Sequence, residues 1–243
     1  LGGPKFSVDR SVSEHYRIGK LLGSGMYAQV FVATPSESLQ RAFSRRAEVF
    51  SSKHTLNRPS HSSSLRSVST KLERHADTSP LSTLPRADAV AIKVIPRDSC
   101  DVHYEEQMRH EAACLASLSD HPHIVRLHEF AEGDRNWYMI MELAPSTVLE
   151  TIVNFHYNKD SSFRIRESTL SAVFRQLLDA LAHCHAHGIA HLDVKPDNLL
   201  IGPDGQVRLC DFGLAARVPC RRDCHTLLFA APEIFTEKMA YTA

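Results

Sequence analysis

The 243 residues are 43% apolar and 23% charged, ordinary for a soluble globular chain and enough for one large domain or two small lobes. Lys plus Arg and Asp plus Glu each total 28, so no net field points to nucleic acid, and the longest apolar runs (137–141 and 227–231) are too short to be a transmembrane segment. Six cysteines without CxxC spacing, behind a start with no signal-peptide character, put the expectation on reduced thiols in the cytoplasm or nucleus.

Residues 1–15 are polar and unpatterned and read as an extension, and Leu1 in place of Met suggests a fragment. Tyr16 to Leu22 and Gln29 to Ala33 read as strands bracketing Gly23-Ser24-Gly25-Met26-Tyr27-Ala28. Glycines in such a turn let a hairpin lie flat on a polyphosphate, with backbone N–H groups facing the phosphate oxygens. From 34 to 86 serine, arginine and proline dominate, the composition of a disordered basic insertion between two strands. Leu39, Phe43 and Phe50 fall near helical spacing beside Arg41, Arg45 and Arg46, a candidate basic amphipathic helix for a regulatory partner or a membrane surface. Ser44 and Ser69 each follow an arginine by three residues and are candidate phosphorylation sites.

Ala89 to Ile95 (AVAIKVI) is an apolar strand carrying one lysine, Lys93, which is costly to bury without an anionic partner. Glu105 to Leu118 reads as a helix with Glu111, Leu115 and Leu118 near one face. Ile124–Phe130 and Trp137–Leu143 read as strands, and Val148–Tyr157 and Thr169–His187 as helices. The second of these helices has an apolar stripe of Leu170, Val173, Phe174, Leu177, Leu178 and Leu181. Its last turn holds His183, His185 and His187. A metal reading of these is open, but imidazoles closing a helix C-terminus before Gly188 are the simpler one.

The stretch His191 to Gly213 (HLDVKPDNLLIGPDGQVRLCDFG) sets Asp193, Asn198 and Asp211 among short apolar runs. Leu199–Ile201 and Val207–Cys210 read as strands joined by the turn Gly202-Pro203-Asp204-Gly205. Such a hairpin would bring the segment around Asp193 and Asn198 close to Asp211. Two carboxylates and an amide converging there could hold magnesium and leave one carboxylate to steer a nucleophile.

Taken together, the glycine loop, the lysine of Val90-Ala91-Ile92-Lys93, the helix glutamate, Asp193-Val194-Lys195-Pro196-Asp197-Asn198, Asp211-Phe212-Gly213 and Ala231-Pro232-Glu233 occur in the order and spacing of eukaryotic protein kinases. The chain resembles a serine/threonine member of that family, with calcium/calmodulin-kinase-like features around Pro196 and Leu200. The resemblance implies an α+β bilobal fold: a small β-rich N-lobe (16–144, interrupted by the insertion) and a partial helical C-lobe (145–243). It implies ATP and Mg2+ as cofactors and a protein substrate with a Ser or Thr acceptor. Asp193, Lys195 and Asn198 become the catalytic set, and Asn198 and Asp211 the metal ligands. Leu22, Gly23, Ser24, Gly25, Val30, Ala91, Lys93, Glu111, Met141, Glu142, Ala144 and Leu200 become nucleotide-site residues. Lys93 pairs with Glu111, Met141 is the gatekeeper and Glu142-Leu143-Ala144 the hinge.

The departures carry information too. Ala28 stands at the third glycine of the loop, and Leu192 at the arginine that in many kinases anchors an activation-loop phosphate. Residues 214–225 contain no Ser, Thr or Tyr, so the expectation is regulation without activation-loop phosphorylation. Thr226 matches the family's threonine near the catalytic aspartate. The chain ends soon after Glu233, where kinases continue into further helices, so a partial domain is expected. The rival reading is a catalytically weak or inactive pseudokinase scaffold that binds nucleotide or partners.

Overall fold

Val90, Ile92 and Val94 alternate with Ala91, Lys93 and Ile95, and β-branched residues at a period of two make a strand with two distinct faces. The computed structural model describes residues 8–25, 27–39, 89–99, 102–118, 120–157, 165–218 and 227–230. The chain divides into two units, 1–105 with 126–143 and 106–125 with 144–243.

The first unit is a five-stranded antiparallel sheet. Its strands are β1 (Tyr16–Ser24), β2 (Gln29–Pro35), β3 (Val90–Pro96), β4 (Leu127–Glu132) and β5 (Asn136–Glu142), in the order β1-β2-β3-β5-β4. One face carries Phe31, Ala33, Val90, Ile92, Val94, Tyr138 and Ile140, which pack into a core with Val12 and Tyr16. Val12 sits on a short helix, α1 (Arg10–Ser13). Residues 8–15, read from the sequence as an unpatterned extension, thus help to build this interior. Asp9, just before α1, is 8% exposed and accepts hydrogen bonds from the Tyr138 hydroxyl (2.8 Å), Asn136 Nδ2 (3.0 Å) and the amides of Asn136 (3.0 Å) and Arg135 (3.1 Å).

Helix α2 (Val102–Leu118) passes from the first unit into the second. The second unit continues with β6 (Ser146–Thr147), α3 (Val148–Tyr157), α4 (Glu167–Ala186), β7 (Ile189–Ala190), β8 (Leu199–Ile201), β9 (Val207–Leu209) and β10 (Ala216–Arg217). Strands β6, β8 and β9 form one small sheet and β7 with β10 another. A parallel bridge joins Ile124 to Leu209, and Gln176 of α4 accepts the Val207 amide at 2.7 Å. The α+β class read from the sequence is the class observed, a β-rich first unit and helices in the second.

The apolar stripe of α4 divides. Leu177, Ala180 and Cys184 are buried, with Gln176 among them, whereas Leu170, Phe174 and Leu178 are exposed. At the helix end His183 stacks on His121 (centroids 4.6 Å apart) and lies 4.4 Å from His187, and His187 Nδ1 donates to the His183 carbonyl at 2.9 Å. Asp179 also reaches this group, 3.5 Å from His121 Nε2. Among the described residues no group of three or more His, Cys, Asp or Glu could hold a metal ion, and no helix is long and apolar enough to cross a membrane. Met26, most of the 34–86 insertion with its serines, Cys220, Arg221, Arg222, Cys224, Thr226 and Ala231-Pro232-Glu233 lie outside the described residues.

Candidate active site

The β8–β9 hairpin forms because Gly205 closes its turn at φ +73°, donating its amide to the Gly202 carbonyl at 2.9 Å. A bidentate Arg208–Asp204 pair (2.8 and 3.2 Å) braces the same turn. Its register sets Leu199 opposite Leu209 and Leu200 opposite Arg208. The Cys210 amide consequently donates to the Asn198 carbonyl at 2.9 Å, which places Asp211 one residue from the Asn198 backbone.

Asp193 is 7% exposed and Asn198 5%. Lys195 Nζ lies 2.7 Å from Asp193 Oδ2, and Asn198 Nδ2 donates to that oxygen and to the Asp193 carbonyl, both at 2.8 Å. A buried carboxylate needs such charge-assisted partners to remain ionised. Because the Asn198 nitrogen is turned to Asp193, its amide oxygen is the atom left for a hard cation. One amide oxygen with the Asp211 carboxylate fits magnesium, which takes one or two protein carboxylates and fills its other positions with phosphates and water.

His191, 1% exposed, anchors the loop from beneath. Its Nε2–H donates to the Cys210 carbonyl (3.0 Å) and its Nδ1 accepts the Asp193 amide (3.2 Å), so these two bonds fix a neutral tautomer. Burial pushes its pKa below the ordinary imidazole value. Phe212, fully buried, meets the His191 ring edge-on at 4.7 Å. Two non-glycine residues take positive φ in this segment, Leu192 (+64°) and Asp211 (+61°), one flanking the catalytic aspartate of the sequence reading and the other being its metal ligand. Such strain persists where surrounding contacts over-determine the backbone.

In the first unit, strand register sorts the remaining candidates. Gly23 pairs with Val30, Val30 with Lys93 and Lys93 with Met139, while Ala91 pairs with Met141. Directly opposed residues share a face. Val30, Ala91, Lys93 and Met141 therefore lie on one side of the sheet, opposite to Phe31, Ile92 and Ile140 of the core. Glu142 pairs with Val90 and falls on the core side. Leu22 is exposed, Ser24 pairs with Gln29, and the Gly25 amide donates to the Ala28 carbonyl at 2.8 Å, closing the loop. Glu111 (5% exposed), Ala144 and Leu200 belong to the second unit.

Sequence reasoning missed two polar side chains of α2. Gln107 Nε2 donates to the Gly213 carbonyl (2.7 Å), and His110 Nε2 donates to the Ala215 carbonyl (3.0 Å). Their signal was positional, since Gln107 lies one helical turn before Glu111. An apolar count passes over both.

A family model described as protein kinase domain matches residues 82–243. The chain is similar to CBL-interacting protein kinase 4 of Oryza sativa subsp. japonica, 39% identical over 162 residues, which cover 62% of this chain and 34% of the relative. It is also similar to CBL-interacting serine/threonine-protein kinase 15 of Arabidopsis thaliana (35% identical; 63% of this chain, 36% of the relative) and to sperm motility kinase 2B of Mus musculus (33% identical; 61% and 30%). The chain spans about a third of the length of these curated relatives.

Proposed function

The chain belongs to the protein kinase domain family, and from that premise we propose that it transfers the γ-phosphoryl group of ATP to serine or threonine hydroxyls of protein substrates. The observation that carries this is the Asp193 carboxylate, buried and held on one oxygen by Lys195 (2.7 Å) and Asn198 (2.8 Å). In this role Asp193 orients the acceptor hydroxyl and takes its proton, and Lys195 neutralises charge on the group in transit. Asn198 and Asp211 hold Mg2+, which supplies neutralisation of the polyphosphate when bound. Val30, Ala91, Lys93 and Met141, on one sheet face, serve the nucleotide with Leu22, Gly23, Ser24, Gly25 and Glu142 of the same unit, and Glu111, Ala144 and Leu200 are the nucleotide-site residues of the second unit.

Control in this reading is independent of activation-loop phosphorylation, because residues 214–225 offer no hydroxyl. The 34–86 insertion is the proposed seat of a regulatory partner, and the proposed compartment is the cytoplasm or nucleus. The test is phosphotransfer by the chain and by Asp193→Asn. We expect the substitution to lower kcat by about 10²–10⁴-fold, the range for a positioned general base. Equal rates in both would remove Asp193 from the mechanism. A chain that binds Mg2+-ATP yet transfers nothing would instead be the nucleotide-binding scaffold, which Leu192 and Ala28 favour.

A further inference from the structure

Four histidines that phosphotransfer does not use meet in the second unit. His121 and His123 lie on the loop between α2 and β4, with side chains only 12% and 13% exposed, and His183 and His187 close the end of α4. The rings form one chain. His123 meets His121 edge-on at 5.7 Å, His121 stacks on His183 at 4.6 Å, and His183 lies 4.4 Å from His187. His185, two residues from each of the α4 pair, faces away from them.

Backbone partners set the proton on three of these rings. His121 Nδ1 accepts the His123 amide at 3.2 Å, so its Nε2 carries the hydrogen, 3.5 Å from Asp179 Oδ2. His123 Nδ1–H donates to the Val207 carbonyl at 3.1 Å, and its other nitrogen, without hydrogen in the neutral ring, is 3.9 Å from the same carboxylate oxygen. His187 Nδ1–H donates to the His183 carbonyl at 2.9 Å. The loop is also laddered to β9. The Leu209 amide donates to the His123 carbonyl and the Val125 amide to the Leu209 carbonyl, both at 2.9 Å, and β9 runs directly into Cys210 and Asp211.

Neutral imidazoles stack at these spacings, whereas imidazolium ions repel. A proton entering His123 Nε2 is met by Asp179. One entering His121 Nδ1 would displace the His123 amide, and one entering His183 lies beside His187. Asp120 acts electrostatically on His183 and Asp204 on His123, while Arg208 adds positive charge. Burial nevertheless holds His123 and His183 below the ordinary imidazole value. Both bind protons less readily folded than unfolded, so what they contribute is complete above about pH 6.5 and weakens as the pH falls below it.

We propose that His121, His123, His183 and His187 form a proton-sensitive joint between the 120–125 loop and α4. Uncharged, the stack holds the loop and β9 together. As protons enter, the stack parts and the end of β9 that leads to Asp211 is released, so acid slows phosphotransfer reversibly. The effect on rate rests on the kinase reading of Asp193 and Asp211; the opening of the joint does not.

The experiment follows amide protection at 123–125 and 207–209, corrected for intrinsic exchange, and phosphotransfer rate from about pH 7.5 to 5. It compares the unsubstituted chain, Asp179→Asn and the double variant His183→Phe/His187→Phe, with melting temperatures at the neutral end to show that each is folded. The double variant keeps packed rings that cannot charge, and should move the midpoint of lost protection at least about half a pH unit lower, roughly threefold in proton concentration. Asp179→Asn removes the balancing carboxylate and should move the midpoint higher. Rates should follow the same order and recover when the pH is restored. A common midpoint in the three proteins overturns the proposal, as does a shift of both variants in one direction. Should one variant not fold, the direction of the other's shift decides. A rate profile that stays put while the midpoints move overturns the control of phosphotransfer. If the unsubstituted chain transfers no phosphate at any pH, the kinase reading fails by itself, and protection alone decides the joint.

Discussion

Asp9 and Asp193 are buried to the same degree, 8% and 7% exposed, and are held in opposite ways. Asp9 is met on both carboxylate oxygens by neutral donors that lie 126 to 129 residues away, and it ties the segment before α1 to the β4–β5 turn. Asp193 is met on Oδ2 by an ammonium two residues away and an amide five residues away. The first arrangement closes a tertiary contact. The second prepares a charged group on a loop that is already held by His191. Burial alone therefore does not distinguish a structural carboxylate from a chemical one, whereas the origin and charge of its donors do.

The sharpest break of this comparison is the double measurement on Asp193→Asn. The expected loss of about 10²–10⁴-fold in kcat should come with little change in melting temperature, since Asn can still accept from Lys195 and Asn198. The converse is Asp9→Ala. It takes from the Tyr138 hydroxyl the carboxylate it donates to and from Asn136 Nδ2 one acceptor, the Tyr138 oxygen remaining, and should cost about 2–4 kcal/mol in chemical denaturation while kcat per folded molecule stays put. If Asp9→Ala reduced kcat instead, the division between a structural and a chemical aspartate would fail.

What was legible in the chain follows the same division. The polar positions Asp193, Asn198 and Asp211 lie within one hairpin and its approach, where local spacing decides where they sit, whereas Lys195 entered only through the kinase resemblance. The apolar run 89–95 likewise read as a strand carrying one lysine, but the face that Lys93 takes came only from the strand register. Asp9 could not be found this way. Its neighbours Ser7, Val8 and Arg10 have no period, and its donors come from a turn more than a hundred residues on. Gln176 was missed for another reason. It lies in the buried face of α4 because the Val207 amide needs an acceptor, and a reading that counts apolar residues treats a glutamine there as surface. Of the apolar stripe read on α4, Leu177 is buried, and Leu170, Phe174 and Leu178 are exposed.

Acid should separate the two units. Burial lowers the pKa of His123, His183 and His191, all in the second unit, below the ordinary value of 6.5. Each binds its proton less readily folded than unfolded. The stability they contribute is full above about pH 6.5 and falls as pH drops through the folded values. Asp9 has its carboxyl held below 3.8; burial opposes this, and the bonds from Tyr138, Asn136 and Arg135 outweigh it. Its contribution persists down to the carboxylate range and is lost only below it. Protection against hydrogen exchange, corrected for the intrinsic pH dependence of the amides, should therefore fall at 207–209 as the pH drops below about 6.5 while 136–142 stays protected. Protection lost first in 136–142 would contradict this order.

The smallest expected effect concerns Leu192, the neighbour of Asp193 at φ +64°. An arginine there could anchor a phosphate by charge-assisted bonds, but residues 214–225 supply no side chain that would carry one. Gln107 and His110 already satisfy the carbonyls of Gly213 and Ala215 with side-chain N–H donors. Leu192→Arg should therefore leave kcat and the Mg2+ requirement within about twofold, less than one hydrogen bond is worth. Phosphatase treatment should change neither protein. Mass spectrometry of the active chain, covering Thr226, completes the test. A phosphate found there, with activity lost on its removal and strengthened by Leu192→Arg, would return control to the activation loop. In that case the segment after Asp211 would depend on a modification that the α2 donors do not replace.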